Sequence, residues 1–334
     1  MAGSLISVSG GIALTRHEVE RSTHLRTDQD WLAKAWAEPS TRVLVIEDGQ
    51  VLARIGDGRA ELVFVSPDEA PGGVRFLLGL DSDHLAYFGV AGPITGDRRG
   101  GGAEGGDSTG TTTAGRQGSG EGDAGGDSIL RRAGLREAGT LLTDRDAGLM
   151  THAVALANWH AVAGFCSRCG APTTPEMAGH SRRCPVDGSE HFPRCDPAVI
   201  MLVTDPDDRC LLARNAQWPE RRVSVLAGFV EPGESAEQAV AREVHEETSV
   251  VVSTVTYAGS QPWPMPHSLM LGFRAEATTT AIRVDDDEIA EANWFSRDDL
   301  RASLLAGDIL MPPSLSISRW LIETWYGADL PRPA

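Results

Sequence analysis

Residues 228–250, GFVEPGESAEQAVAREVHEETSV, decide how this chain is read. Glu231-Pro232-Gly233-Glu234 is turn chemistry, because proline presets one backbone angle and glycine accepts the sign other residues avoid. Helix formers follow, and on a helix residues three and four apart share a face. Glu243, Glu246 and Glu247 therefore project together, with Arg242 and Glu234 flanking them. Three like charges on one face repel, so folding gains nothing from them. The cluster makes sense around a hard divalent cation, Mg2+ or Mn2+, which takes oxygen ligands and commonly works beside a phosphate. A solvated acidic helix is the plain alternative in a chain of net charge −17, but it would not demand these residues at these spacings.

The stretch resembles the Nudix box: glycine, five residues, glutamate, seven residues, Arg-Glu, an aliphatic, any residue, Glu-Glu, any residue, glycine, an aliphatic. Gly228, Glu234, Arg242, Glu243, Val244, Glu246, Glu247 and Val250 fill the pattern. Ser249 stands where the pattern has glycine. A left-handed helix end would cost a non-glycine residue there on the order of 1 kcal/mol, with no catalytic group lost.

The 334 residues leave room for two or three domains, each with its own core. The negative charge argues against unspecific attraction to nucleic acid or anionic membranes. Lysine occurs once, at Lys34. No run of about 18 apolar residues is present, and the first residues lack the pattern of a signal peptide. A cytoplasmic protein is expected, whose five cysteines are thiols or metal ligands.

Five segments are expected. Residues 1–94 form a β-rich N-terminal domain, with strands at 41–46, 61–65 and 74–80. Residues 95–128, rich in glycine, form a disordered insertion. Residues 129–163 are a helical connector, with helical spacing over 145–162. Residues 164–195 are a zinc-ribbon-like segment, and 196–334 a mixed α/β domain with strands at 198–203, 210–214, 223–227, 269–275 and 292–295 and a terminal helix over 316–326. The Nudix resemblance implies an α/β/α sandwich for this last domain.

Cys166-Ser-Arg-Cys169 and Cys184 supply three ligands of a zinc ribbon, and Asp187 occupies the fourth place. His191 and Cys195 lie close enough in sequence to compete with it, and a ribbon held by packing with little or no zinc is the further alternative. A four-ligand Zn2+ would be structural, because no position is left open for chemistry. Cys210 reads as a core residue on a strand.

Beyond the box comes Ser260-Gln261-Pro262-Trp263-Pro264-Met265-Pro266-His267-Ser268. Its three prolines predict a stiff extended loop that cannot join a ladder, and a stiff loop loses little entropy on binding a ligand. It resembles the SQPWPFPxS signature of the NADH pyrophosphatase branch of the Nudix family, with Met265 in place of phenylalanine. That resemblance implies a role for each matching residue. Glu243, Glu247, Glu288 and the Ala227 carbonyl would hold Mg2+ or Mn2+; Glu246 would be ligand or base, and Arg242 would belong to the catalytic group. Phe192 and Phe229 would line a nicotinamide pocket. Gln261, Pro262, Trp263, Pro264, Met265, Pro266, His267 and Ser268 would bind nucleotide, with Arg136 and Ser318 adding contacts. It further implies a homodimer that hydrolyses NADH and NAD+ to NMN(H) and AMP and removes the NAD cap from RNA 5′ ends. ADP-ribose or a dinucleoside polyphosphate is the alternative substrate, and a non-catalytic nucleotide sensor the alternative class.

Overall fold

The structure is a computed structural model that describes residues 11–94, 128–284 and 287–331. The glycine-rich insertion expected over 95–128 lies, but for its last residue, outside the described residues.

Two small sheets build the N-terminal region. One has the order β1 (Arg42–Ile46), β5 (Ala86–Ala91), β4 (Val74–Leu80); the other runs β3 (Arg59–Leu62), β2 (Gln50–Gly56), β6 (Ile129–Gly134). The connector expected to be helical thus opens with a strand, β6, paired along β2 from Gln50↔Gly134 to Ile55↔Ile129. Its alternation was hidden because Ile129 and Leu130 are both exposed and two arginines follow. Helix α1 (Gln29–Ala37) starts where Asp28 accepts from the Trp31 amide. After a single turn of helix, α2 (Leu135–Ala138), comes α3 (Asp144–Val162), capped by Thr143. Leu149, Met150, Ala153, Val154 and Leu156 of α3 pack onto Leu44, Val51, Phe76 and Ala133, and this seam is the N-terminal core.

The ribbon holds three short strands, β7 (Thr174–Glu176), β8 (Ser181–Arg183) and β9 (Glu190–His191), in one antiparallel sheet. Arg182 fixes it to α3. Its Nε donates to Thr173 Oγ1 and its Nη2 to the Thr173 carbonyl, both at 2.7 Å, while Nη1 meets His160 Nδ1 at 3.0 Å. His160 Nε2 faces the Gly179 carbonyl at 2.8 Å, so the ring must be neutral to accept from Arg182. Burial lowers its pKa to about 4.

The last domain centres on the sheet β13 (Val252–Trp263), β14 (Ser268–Ala277), β10 (Asp196–Thr204), β11 (Cys210–Asn215), β15 (Ile289–Phe295), with β12 (Leu226–Phe229) also paired to β10. β10 and β14 are parallel, and both lie inside the sheet. One face packs Val199, Met201, Val203 and Phe273 against Ala239, Val240 and Val244 of α4 (Ala236–Thr248). The other packs Ile200, Leu202 and Leu212 against Leu300 and Leu304 of α5 (Arg297–Ala306) and Leu321 and Ile322 of α6 (Ile317–Tyr326). This is the expected α/β/α sandwich, and buried Cys210 lies in it as a core residue.

One expectation fails. The proline-rich segment, expected as a loop barred from ladders, instead pairs Gln261, Pro262 and Trp263 with Met270, Leu269 and Ser268 as the end of β13. β13 is an edge strand, so a proline lacking its N–H can sit with that side turned from the ladder. Only residues 264–267 remain as the turn.

Candidate active site

Ser235 caps α4 by accepting from the Gln238 amide, and Gln238 returns a bond to the Ser235 amide. This capping box starts the helix at a fixed residue and so fixes the face on which the glutamates lie. At the far end Ser249 takes the left-handed conformation, φ 60°, and its hydroxyl donates to the Arg283 carbonyl at 3.1 Å. That bond offsets part of the strain expected from a missing glycine.

Gly228 lies beneath the Glu243 carboxyl. A Cβ built on it would stand 2.0 Å from Glu243 Cδ and Oε1, so glycine here is a steric requirement of one carboxylate.

Arg242 uses all five of its N–H donors inside the motif. Nε and Nη2 reach the two oxygens of Glu234, both at 2.9 Å, and Nη2 also donates to the Phe229 carbonyl at 2.9 Å. Nη1 lies 2.8 Å from Glu243 Oε1 and 3.2 Å from Glu246 Oε2. The guanidinium therefore joins turn, strand end and helix, and sets two of the carboxylates. The Glu234 bond is the first cause of its raised pKa, and Glu234 in turn is lowered by Arg242.

Glu247 differs from its neighbours. It is 5% exposed, and its Oε2 has no hydrogen-bond partner. Burial first, then Glu243, Glu288 and Glu246, pushes its carboxyl up to about 8. Burial also raises Glu243, against the pull of Arg242. A buried carboxylate oxygen without a donor, surrounded by further carboxylates, is costly unless a cation faces it. These residues fit Mg2+ or Mn2+. Glu288 is exposed at the entry to β15, where its carbonyl accepts from the Ala216 amide at 2.8 Å. Ala227, also exposed, faces Ile200 across the β12–β10 ladder. The Glu246 side chain is 60% exposed and free to meet solvent.

The substrate-side candidates divide into two groups. Phe192 and Phe229 leave their rings 63% and 59% exposed, so neither is a core residue. The Arg136 guanidinium lies 5.2 Å from the centre of the Trp263 ring, and Trp263 and Met265 pack on the N-terminal core. Pro262 and Ser268 pair with their β13–β14 partners at either end of the turn. His267 Nδ1 approaches Asp196 Oδ2 at 3.2 Å without hydrogen-bond alignment, and the His267 carbonyl accepts from the Asp196 amide at 2.9 Å. Gln261 and Ser318, by contrast, are interior. Gln261 Nε2 donates to the Ala13 and Leu315 carbonyls and its Oε1 accepts from the Ile317 amide. Ser318 Oγ lies 2.6 Å from Ser224 Oγ. One participant escaped the sequence reading: Asn158 of α3 donates to the Pro264 carbonyl at 2.8 Å. No local signal marks a lone helix asparagine, whose partner is more than a hundred residues away.

In the ribbon, Cys166, Cys169, Cys184 and Asp187 each offer one ligand atom, and these atoms all lie within 4.8 Å of one another. Two matching turns bring them there. Gly170 N donates to the Cys166 carbonyl at 2.9 Å and Gly188 N to the Cys184 carbonyl at 3.0 Å, with φ 74° and 72° at the two glycines. Asp187 thus occupies in the second turn the place of Cys169 in the first. The Ser189 hydroxyl and amide hold its carboxyl well below the usual range, in the anionic form a metal needs. His191 bonds Ser189 at 3.1 Å, and neither it nor Cys195 enters the cluster. Three thiols and a carboxylate at this spacing fit a structural Zn2+.

Comparison with known proteins matches two domains. Residues 195–313 match the NUDIX domain, and residues 163–192 the NADH pyrophosphatase zinc ribbon domain. A protein of Mycobacterium bovis (strain BCG / Pasteur 1173P2) named NAD-capped RNA hydrolase NudC is 51% identical over 204 residues, covering 58% of this chain and 65% of that protein. The Homo sapiens NAD-capped RNA hydrolase NUDT12 is 42% identical over 196 residues, covering 55% of this chain and 42% of that protein. The chain thus spans less than two thirds of the length of the curated relatives it matches. Among solved structures, a NUDIX hydrolase from Nitrosomonas europaea aligns with TM-score 0.39 at 22% identity, covering 50% of this chain and 94% of that one. The chain carries a NUDIX domain preceded by an NADH pyrophosphatase zinc ribbon domain.

Proposed function

We propose that this protein hydrolyses the pyrophosphate bond of NADH and NAD+ to NMN(H) and AMP, and removes the same group from NAD-capped RNA 5′ ends. The observation that carries this reading is the buried, unpartnered Glu247 oxygen among Glu243, Glu246 and Glu288. The names of the matching hydrolases support the choice of substrate.

Bound Mg2+ or Mn2+ would neutralise the pyrophosphate oxygens and make water a better nucleophile. Glu243, Glu247, Glu288 and the Ala227 carbonyl would hold it. Glu246, exposed to solvent, would accept the proton of the attacking water, while Arg242 fixes the orientation of Glu246 and Glu243. Phe229 and Phe192 would offer aromatic faces to a base. Arg136 against Trp263, and Asn158 on the Pro264 carbonyl, would brace the turn that orients the nucleotide. The chain's acidity would confine RNA contact to the 5′ end. We place the protein in the cytoplasm as a homodimer; among the described residues no helix is long and apolar enough to cross a membrane. The test supplies purified protein with Mg2+ or Mn2+ and NADH, NAD+, ADP-ribose or NAD-capped RNA, and separates the products. AMP with NMNH from NADH is expected; no AMP from NADH or NAD+ rejects the reading.

A further inference from the structure

Asp187 stands where a zinc ribbon expects a thiolate, and the two groups present their ligand atoms differently. A cysteine offers one sulfur at the end of one side-chain torsion. A carboxylate reaches one bond further and offers two equivalent oxygens. A tetrahedral site that takes one of them must fix a second torsion and occupy the other oxygen elsewhere.

Ser189 does both. Its amide at 2.9 Å and its hydroxyl at 2.6 Å donate to the same oxygen, Asp187 Oδ1. The serine backbone is itself tied to the ligand turn, because its carbonyl accepts from the Cys184 amide at 2.9 Å. Asp187 Oδ2 is left facing Cys166 Sγ at 3.4 Å, toward the other ligands.

A hydroxyl carries one proton, and the short bond to Asp187 takes it. Ser189 Oγ then accepts from its other neighbours, His191 Nε2 at 3.1 Å and Cys166 Sγ at 3.4 Å. Those two are not equal. A thiol that ligates a metal has lost its proton, so with zinc in place Cys166 cannot donate and instead competes for the hydroxyl proton. The His191 Nε2–H is then the donor that keeps Oγ turned to Asp187. His191 can hold that station because β9 pairs it with Arg182, the residue that fixes the ribbon to α3. It competes for the fourth place in sequence, but in the fold it stands behind the ligand.

We propose that Asp187 takes the ribbon zinc through Oδ2 alone, and that Ser189, supported by His191, is the positioning residue that makes this carboxylate a ligand. The serine acts through the carboxylate, so its effect should vanish when a thiolate replaces that carboxylate. No glutamate of α4 takes part, so failure of the hydrolytic reading would leave the role of Ser189 untouched.

Chelator competition on the zinc-loaded full chain, under reducing conditions, tests this. Ser189→Ala should weaken zinc affinity about ten- to a hundredfold, while Ser189→Thr, which keeps the hydroxyl, should stay within about threefold of the unmutated chain. His191→Phe should cost less than Ser189→Ala, roughly three- to tenfold. In an Asp187→Cys background the same Ser189→Ala change should cost less than about twofold. Unchanged affinity in Ser189→Ala, or an equal loss in both backgrounds, overturns the proposal. Cobalt exchanged for zinc in the unmutated chain needs no variant. The intense visible absorption of a four-coordinate tetrahedral ion supports a single oxygen ligand; the weak absorption of a five- or six-coordinate ion overturns it.

Discussion

The ribbon and the α4 carboxylates are both clusters of metal-type ligands, yet they are built on opposite plans. In the ribbon two repeated turns close four ligand atoms to within 4.8 Å, and Ser189 and the thiols satisfy one another's hydrogen bonds. Among the described residues no carboxylate group closes to that extent. Its members come from α4 and from the entry to β15, Arg242 restrains two of them, and Glu247 is left buried without a donor. A closed set suits a metal that only holds structure. An open set, kept apart by repulsion and trimmed by one arginine, suits a cation that must also meet a substrate.

That contrast predicts separable failures. Glu247→Gln should lower AMP release from NADH by at least about a thousandfold, roughly 4 kcal/mol, without lowering the melting temperature. A variant that retained near-normal turnover would remove Glu247 from the reaction. Cys184→Ser should do the reverse. We expect loss of bound zinc, measured by metal analysis, and destabilisation by about 3 kcal/mol or more in thermal melts. Full zinc content with an unchanged melt would mean that packing alone holds the ribbon. Arg242→Met should reduce kcat about a hundredfold with little change in KM, and Arg242→Lys should not restore it, since an ammonium cannot reproduce five fixed donors. Rescue by lysine would reduce Arg242 to a simple charge.

Acidity separates the two centres as well. In chelator-treated protein the folded Glu247 carboxyl, at about 8, keeps a proton that the unfolded chain releases near 4.5. The folded state binds more protons across that window, so stability should fall as pH rises from about 4.5 to about 8, by up to about 5 kcal/mol. Glu247→Gln should flatten the profile, as should added Mn2+; denaturant melts at several pH values decide it. The smallest effect is expected at Ser249→Gly. Relief of the left-handed conformation is worth about 1 kcal/mol, less what is lost with the bond to Arg283. A destabilised variant would show that the hydroxyl outweighs the strain.

The glutamate-bearing helix α4 was legible because each of its constraints is local: a capping box, a turn and residues one helical turn apart. The strands around 198–203, 210–214 and 269–275 were legible for a similar reason, since buried sheet strands are continuous apolar runs. Long-range partners decide the rest. Pro262 argued against a strand, and only its place at the sheet edge makes it acceptable. Gln261 falls within the proline-rich segment expected to bind nucleotide, yet its amide joins three distant backbone groups, at Ala13, Leu315 and Ile317. β6 has two exposed aliphatics and two arginines, so no alternation betrayed its pairing with β2.

Asp196 is the first residue after the ribbon, and both its amide and its carboxylate meet His267 in the 264–267 turn. An extra residue between Phe192 and Asp196 would leave β10 and that turn in register with each other and shift only the ribbon against them. Grafts that exchange the ribbon should preserve this spacing to the residue, because the three amino acids from Pro193 to Cys195 set where Phe192 stands relative to the sheet.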